Sequence, residues 1–277
     1  MTEDQLIRTS LEEGVFTLTL NRPDAMNAMN QAVGNRVRDA LGVAARDPGV
    51  RVVVVTGEGR AFCAGGDIRN LGKPDDLDPL AAKYGSDPRW NGMEMRHERL
   101  IETATTWDLL RTMPKPTIAM VNGPAVGAGM TPALACDFRV CSEAAFFDSA
   151  YVNMGLSGDI GMAYHLTHVV GPAKAREILF FPRRIDAGEA LRLGLANRVV
   201  PAGKLHEETM AMARELARGP TLAYGHMKEN LTAAIELGAR NYFDLESRNF
   251  LRCLDTLDHK EAVAAFKDKR RPVFSGS

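Results

Sequence analysis

The sequence predicts an α/β protein that ends in a helical C-terminal region. Three observations carry this expectation. Residues 50–56 (VRVVVVT) form a nearly unbroken β-branched run, the pattern of a strand buried on both faces. Strand-like and helix-like segments alternate through the first half of the chain, the order of an α/β layout. From about Ala163 the β signal fades, and apolar residues recur at helical spacing instead.

The elements follow in order. Val15–Leu20 (VFTLTL) alternates and is β-rich. Residues 30–45 set Val33, Val37, Leu41 and Ala44 on one helical face and stop before Asp47-Pro48-Gly49. After the 50–56 strand comes an irregular stretch, residues 70–95, punctuated by Pro74, Pro79 and Pro88. It is too broken for a core element and long for a plain loop, which leaves a lid or a solvated insertion. Tyr84, Trp90, Met93 and Met95 within it suit a lid over a pocket. Residues 117–121 (TIAMV) and 138–141 read as short strands. Residues 173–181, 187–193, 205–218, 222–237 and 242–254 read as helices, with Asp186 placed to cap the second of them.

Composition narrows the function. With 277 residues, 45% of them hydrophobic, the chain can bury a sizeable core, which excludes a collagen, a disordered tail or a disulfide-stapled miniprotein. Thirty-four basic against 35 acidic residues give a net charge of −1, so no basic excess exists to neutralise a nucleic-acid backbone. Cys63, Cys136, Cys141 and Cys253 form no C-x-x-C pair and have no histidine spacing of a zinc site, so buried free thiols of a reducing cytosol are expected. Met1-Thr2-Glu3-Asp4 shows no basic n-region, and no apolar run reaches the roughly 18 residues of a membrane span, so a cytoplasmic protein without a membrane partner is expected.

Two glycine-rich segments follow expected strands: residues 57–68 (GEGRAFCAGGDI) and residues 122–130 (NGPAVGAGM). Small residues at a strand's exit let a ligand approach the backbone closely. The second segment leads into an apolar helical stretch, whose free N–H groups lie at a positive helix end. Two such turns facing one cleft can aim N–H groups at one oxygen, an oxyanion hole. Taken singly, each also reads as a tight loop, and neither matches G-x-G-x-x-G or a P-loop.

The ordered motifs identify a resemblance. Leu20-Asn21-Arg22-Pro23 with Asn27-Ala28, AFCAGGDI at 61–68, PTIAMVNGPAVGAG at 116–129, Cys136-Asp137, and Gly188-Glu189-Ala190 leading to Gly194-Leu195 resemble the crotonase superfamily, the enoyl-CoA hydratase/isomerase family, over roughly residues 5–270. The resemblance implies a crotonase-type spiral of ββα units over residues 1–200, carrying a lid-like insertion at about 70–95. A helical C-terminal region over 201–277 would drive trimerisation, as a homotrimer or a hexamer built as a dimer of trimers. It implies an acyl-CoA substrate, no cofactor beyond the coenzyme A of that substrate, and no metal. The thioester oxygen would accept from the backbone amides of Gly66 and Ala128, the latter standing where many members carry glycine. The adenine end of coenzyme A would lie along Ala64, Asp67 and Ile68.

At the catalytic positions the chain departs from the family's hydratases, which hold water between two glutamates. Those positions align with Thr131 and Tyr151, and neither serves as a carboxylate base, a phenol having a pKa near 10. A third family position, occupied by an acid in several of its isomerases and by the nucleophilic Asp of its 4-chlorobenzoyl-CoA dehalogenase, aligns with Asp159. The expected reaction is therefore double-bond isomerisation of an enoyl-CoA by Asp159 as single acid/base, with Tyr151 hydrogen-bonding or shaping the acyl pocket. The alternatives are an atypical hydratase, substitution or hydrolysis with Asp159 as nucleophile, and a weakly active acyl-CoA binding protein. Lesser candidates are Asp148 as a displaced carboxylate, the pair His165 and His168, His97 on the lid-side helix, and Arg22 and Arg69 toward coenzyme A phosphates.

Overall fold

The computed structural model describes residues 5–68 and 78–277. Arg69, the first part of the expected lid and the extreme N-terminus lie outside the described residues. Ile7–Glu12 (β1) and Val15–Leu20 (β2) form an antiparallel hairpin. Gln31–Arg46 (α1) is capped by Asn30, whose side chain accepts from the Val33 amide at 3.0 Å. Val52–Gly57 (β3) then pairs parallel to β2. Pro79–Tyr84 (α2) and Met93–Thr112 (α3) lead to Thr117–Val121 (β4), parallel to β3.

From β4 the chain passes back and forth between two sheets. Ala125–Val126 (β5) lies in a small second sheet, and Met130–Ala135 (α4) returns the chain to Phe138–Ser142 (β6) of the first. Phe146–Asp148 (β7) goes to the second sheet again. Met162–Phe180 (α5), Ile185–Asp186 (β8), Ala187–Arg192 (α6) and Arg198–Val200 (β9) follow. The large sheet has the order β1-β2-β3-β4-β6-β9 and the small one β5-β7-β8. Leu205–Ala217 (α7), Thr221–Glu236 (α8), Ala239–Leu254 (α9) and Leu257–Lys267 (α10) complete the chain.

The continuous valine run is explained by two cores on opposite faces of the sheet. Val53 and Val55 pack with Leu18, Leu20, Phe62 and Val121 on one face. Val52 and Val54 pack on the other with Ile118 and Val140, where α7 covers the sheet through Leu205, Met210, Ala213 and Ala217. Every second side chain thus enters a different core, so no polar position is available. Helix α7, expected in the helical region after residue 200, is the layer that closes this second face.

A buried polar clasp ties the later helices to the sheet. Lys228 of α8 donates from Nζ to the carbonyls of Leu110 and Lys115 and to Asp137 Oδ2, at 2.6, 3.0 and 2.7 Å. Asp137 also accepts from the Thr117 amide and hydroxyl. Burial pushes Asp137 up and Lys228 down from their ordinary values, while each charge opposes the shift of the other. The acid of the Cys136-Asp137 motif is therefore a structural partner. Beyond the clasp, α8 to α10 leave a broad apolar face uncovered in the single chain, with Leu231 71% and Phe266 85% exposed.

Strand β1 escapes the alternation rule because it is an edge strand exposed along nearly its whole length. Strands β5 and β8 span two residues each, too few to carry a pattern. Helix α5 starts at Met162, eleven residues before the expected start. Gly171, at φ 76°, and Pro172 kink it and break the apolar period. Asp186 caps α6, accepting from the Glu189 amide at 2.8 Å. Cys63, Cys136 and Cys141 are buried free thiols, whereas Cys253 is half-buried.

Candidate active site

The two glycine-rich segments pack backbone against backbone. Cys63 and Ala125 form a parallel bridge, in which the Cys63 amide donates to the Pro124 carbonyl at 3.1 Å and the Val126 amide to the Cys63 carbonyl at 2.9 Å. The contact leaves no room for side chains. A Cβ on Gly129 would stand 2.2 Å from the Cys63 carbonyl oxygen, and one on Gly65, at φ 94°, would stand 2.8 Å from that of Val126. The glycines thus permit the approach that places Gly66 beside Ala128.

The direction of the two amides follows from the same pairing. The Met29 amide donates to the Gly65 carbonyl and the Asp67 amide to the Met29 carbonyl, at 2.7 and 2.8 Å. In a parallel bridge the residue between them turns its own N–H to the other side, so the Gly66 amide points away from Met29. Ala128 is the second residue of the 3-10 turn Gly127–Gly129, where an N–H has no partner within the turn. Gly66 and Ala128 both line one cavity of about 540 Å3, and the space beside Gly66 is open, with nothing within 4 Å of a Cβ placed there.

Tyr151 and Asp159 reach the same cavity from the segment between β7 and α5. Asp148 turns the chain there by accepting from the Ala150 amide at 3.0 Å, and Ala150 takes a left-handed conformation at φ 55°. The 3-10 turn Tyr151–Met154 follows, then a loop with positive φ at Gly155, Gly158, Ile160 and Gly161. Ile160 at φ 43° is strained for a β-branched residue, and burial of its side chain holds it there. The loop folds back so that Tyr151 Oη donates to Asp159 Oδ1 at 2.5 Å. Burial first, then the neighbouring carboxylate, pushes the Tyr151 phenol well above its ordinary value, so the phenol keeps its proton at neutral pH. Asp159 is exposed to the cavity mouth as a carboxylate oriented by a phenol.

Ala64, Asp67 and Ile68 line the same cavity. The Asp67 side chain is 3% exposed and pairs with Arg22 Nη2 at 2.7 Å. Arg22 also donates to the Ala28 carbonyl, so this arginine faces inward and braces the glycine turn; the expectation that it meets a coenzyme A phosphate is corrected. Thr131, at the first glutamate position, lies in α4, all of whose residues are buried. Its hydroxyl has no hydrogen-bond partner among the described residues, and it does not line the cavity. Asp148 is a turn residue rather than a displaced catalytic acid.

The histidines lie elsewhere. His97 is exposed on α3. His165 is buried with Nε2 3.8 Å from Asp108 Oδ1, and burial pulls it down to about 4. His168 is exposed and bonds the Tyr164 carbonyl through Nδ1. Among the described residues no three His, Cys, Asp or Glu side chains converge as a metal site would require. No described helix is long and apolar enough to cross a membrane.

The segment expected as a lid or a solvated insertion contributes to the cavity wall, and one further wall residue was not expected from the sequence. Asp78, Ala81, Trp90 and Asn91, from the 70–95 segment, line the cavity together with Arg99 of α3. Trp90 was singled out as an aromatic of this segment. Arg99 gave no signal, because one arginine in a polar helix reads as a solvated charge.

Solved structures with a similar fold include enoyl-CoA hydratases. The enoyl-CoA hydratase of Bacillus anthracis superposes with a TM-score of 0.86 at 28% identity, over 99% of this chain and 100% of that one. An enoyl-CoA hydratase of Polaromonas superposes at 0.84 with 34% identity, over 97% and 99%. Fold and cleft together thus define an enzyme of the crotonase superfamily. Similar in sequence are a probable enoyl-CoA hydratase of Mycobacterium tuberculosis, 32% identical over 98% of each chain, and the 1,2-epoxyphenylacetyl-CoA isomerase of Escherichia coli, 33% identical over 98% of this chain and 99% of the relative. A family model described as enoyl-CoA hydratase/isomerase matches residues 10–277, and the chain belongs to that family.

Proposed function

We propose that the protein isomerises the double bond of an enoyl-CoA thioester, with Asp159 as its single acid/base. The observation that carries this reading is the Tyr151–Asp159 pair on the wall of the cavity that Gly66 and Ala128 also line. The thioester oxygen accepts from the two amides, which stabilise the enolate that forms when a proton leaves the adjacent carbon. Asp159 takes that proton from C2 of a 3-enoyl-CoA. The electron pair delocalises over the former double bond and the carbonyl. Asp159 returns the proton to C4, and the conjugated 2-enoyl-CoA results with no net gain or loss of atoms. Tyr151 stays protonated throughout and holds the carboxylate in one orientation. The reaction needs no cofactor beyond the coenzyme A carried by the substrate.

Burial of Thr131 supports isomerisation over hydration. Paired carboxylates are what orient and deprotonate a water, and here the first position is sealed off from the cavity and the second holds a phenol donor. The likeness to the 1,2-epoxyphenylacetyl-CoA isomerase of Escherichia coli adds support for isomerase chemistry on this scaffold. The test is chromatographic separation of the double-bond isomers followed by mass spectrometry, with 3-hexenoyl-CoA and crotonyl-CoA turned over in heavy-oxygen water. Conversion of the first to its 2-enoyl isomer should outpace oxygen uptake by the second. Rapid oxygen incorporation with little isomer would overturn the reading in favour of a hydratase, and release of free coenzyme A would favour hydrolysis through Asp159.

A further inference from the structure

We propose that Arg99 selects acyl chains that end in a carboxylate, a specificity that rests on the acyl-CoA reading above. Arg99 stands on α3 with its guanidinium 4.6 Å from the centre of the Trp90 ring, and Nη1 donates to the Trp90 carbonyl at 2.9 Å. Stacking and hydrogen bond fix the fork in place without neutralising it. Among the described residues no carboxylate comes within ion-pairing distance of it. Glu102, one turn along the helix, pairs with Arg38, and Asp78 in the same wall caps α2 by accepting from the Leu80 amide at 3.0 Å. A half-buried permanent cation that lines a ligand cavity and has no anion among the described residues is a site for one.

Its position within the cavity specifies where that anion belongs. Gln31, Asp78, Trp90 and Arg99 line both the active-site cavity and an adjoining groove of about 430 Å3, so they form the partition between the two. The wall nearer Asp159 is apolar, with Val126, Met154 and Leu156. An acyl chain running from the amides of Gly66 and Ala128 crosses apolar surface and then meets a partition bearing a guanidinium and the amides of Gln31 and Asn91. The two amides already donate within the protein, Gln31 Nε2 to Asn35 Oδ1 at 3.2 Å and Asn91 Nδ2 to the Gly85 carbonyl at 2.8 Å, so the guanidinium alone discriminates: a methyl terminus would leave it without an anion, whereas a carboxylate takes two parallel N–H bonds from the fork. The other source of an anion is a phosphate of coenzyme A, and the experiment separates the two.

Adipoyl-CoA and hexanoyl-CoA are six-carbon saturated esters that differ only in the terminal carboxylate, and neither has a double bond to move. Calorimetric titration therefore reads Arg99 whether or not the isomerase reading holds. The full-length enzyme should bind adipoyl-CoA about 10- to 100-fold more tightly than hexanoyl-CoA. Arg99→Gln should bring the two within about threefold, and Arg99→Lys should retain part of the preference because it keeps charge but loses the fork. Equal affinities in the unsubstituted enzyme overturn the proposal without any variant. An equal loss of both esters in Arg99→Gln overturns it in favour of a coenzyme A phosphate. Failure to bind either ester overturns it together with the acyl-CoA site, whereas turnover failing while the preference stands removes only the isomerase reading.

Discussion

Replacing Asp159 by asparagine separates a catalytic carboxylate from a structural one. The amide is isosteric and keeps an oxygen where Oδ1 now accepts from Tyr151 Oη at 2.5 Å. What is lost is the charge and the ability to carry a proton. Exchanging a charge-assisted hydrogen bond for a neutral one costs about 1 kcal/mol. Asp159 is exposed, so no buried charge is left unpaired, and the melting temperature should fall by no more than about 3 °C. If that contact were all Asp159 supplied, turnover would fall about fivefold, the equivalent of 1 kcal/mol. Loss of a positioned acid/base costs about 100- to 10,000-fold. The assay is the rate of 2-enoyl thioester formation from 3-hexenoyl-CoA, with binding of saturated hexanoyl-CoA measured alongside. A drop of 100-fold or more in kcat with hexanoyl-CoA affinity unchanged is the expected result. A folded Asp159→Asn enzyme within fivefold of the original would refute the acid/base role, because the altered hydrogen bond alone accounts for such a loss.

Acidification should destabilise the fold through His165. Its folded value of about 4 lies below the ordinary 6.5, so the unfolded chain binds the extra proton first; stability is fully present above pH 6.5 and declines as pH falls toward 4, by up to about 3 kcal/mol. Denaturant melts at pH 7 and 4.5 should show this loss in the original chain and a smaller one in His165→Gln. Lys228→Met should destabilise by about 2 to 4 kcal/mol in urea melts because Asp137 is left charged in a largely buried clasp, and adding Asp137→Asn should recover part of it. The uncovered apolar face of α8 to α10 should be buried between copies of the chain. Light scattering at micromolar concentration should give an oligomer mass, and Leu231→Glu with Phe250→Glu should lower it.

Much of the site was legible because its determinants are local. Gly65 and Gly129 are required by backbone contacts of a few ångströms, so a glycine pattern marked the turns. Asp159 stood out only through the family resemblance, because an aspartate among glycines is by itself an ordinary turn residue. The valine run of β3 reported burial on both faces, and Asn30 and Asp186 reported helix starts, since each signal is read within a few residues.

The remainder depended on which side chains meet across long separations. Nothing near Arg22 in sequence distinguishes an arginine that meets phosphate from one that braces Asp67, 45 residues later. Thr131 holds an aligned catalytic position, yet packing of α4 between its neighbours seals it from the cavity. Helix α7 has an ordinary amphipathic pattern, and only the parallel order of β3, β4 and β6 makes the sheet's second face the surface it covers. Arg99 and Trp90 lie nine residues apart, but the ring reaches the guanidinium only because the chain doubles back before α3. Periodicity, caps and steric necessity are properties of short segments and are written in the order of residues. The direction of a side chain, and hence the chemistry of the cavity wall, is set by contacts the chain makes only once it has closed on itself.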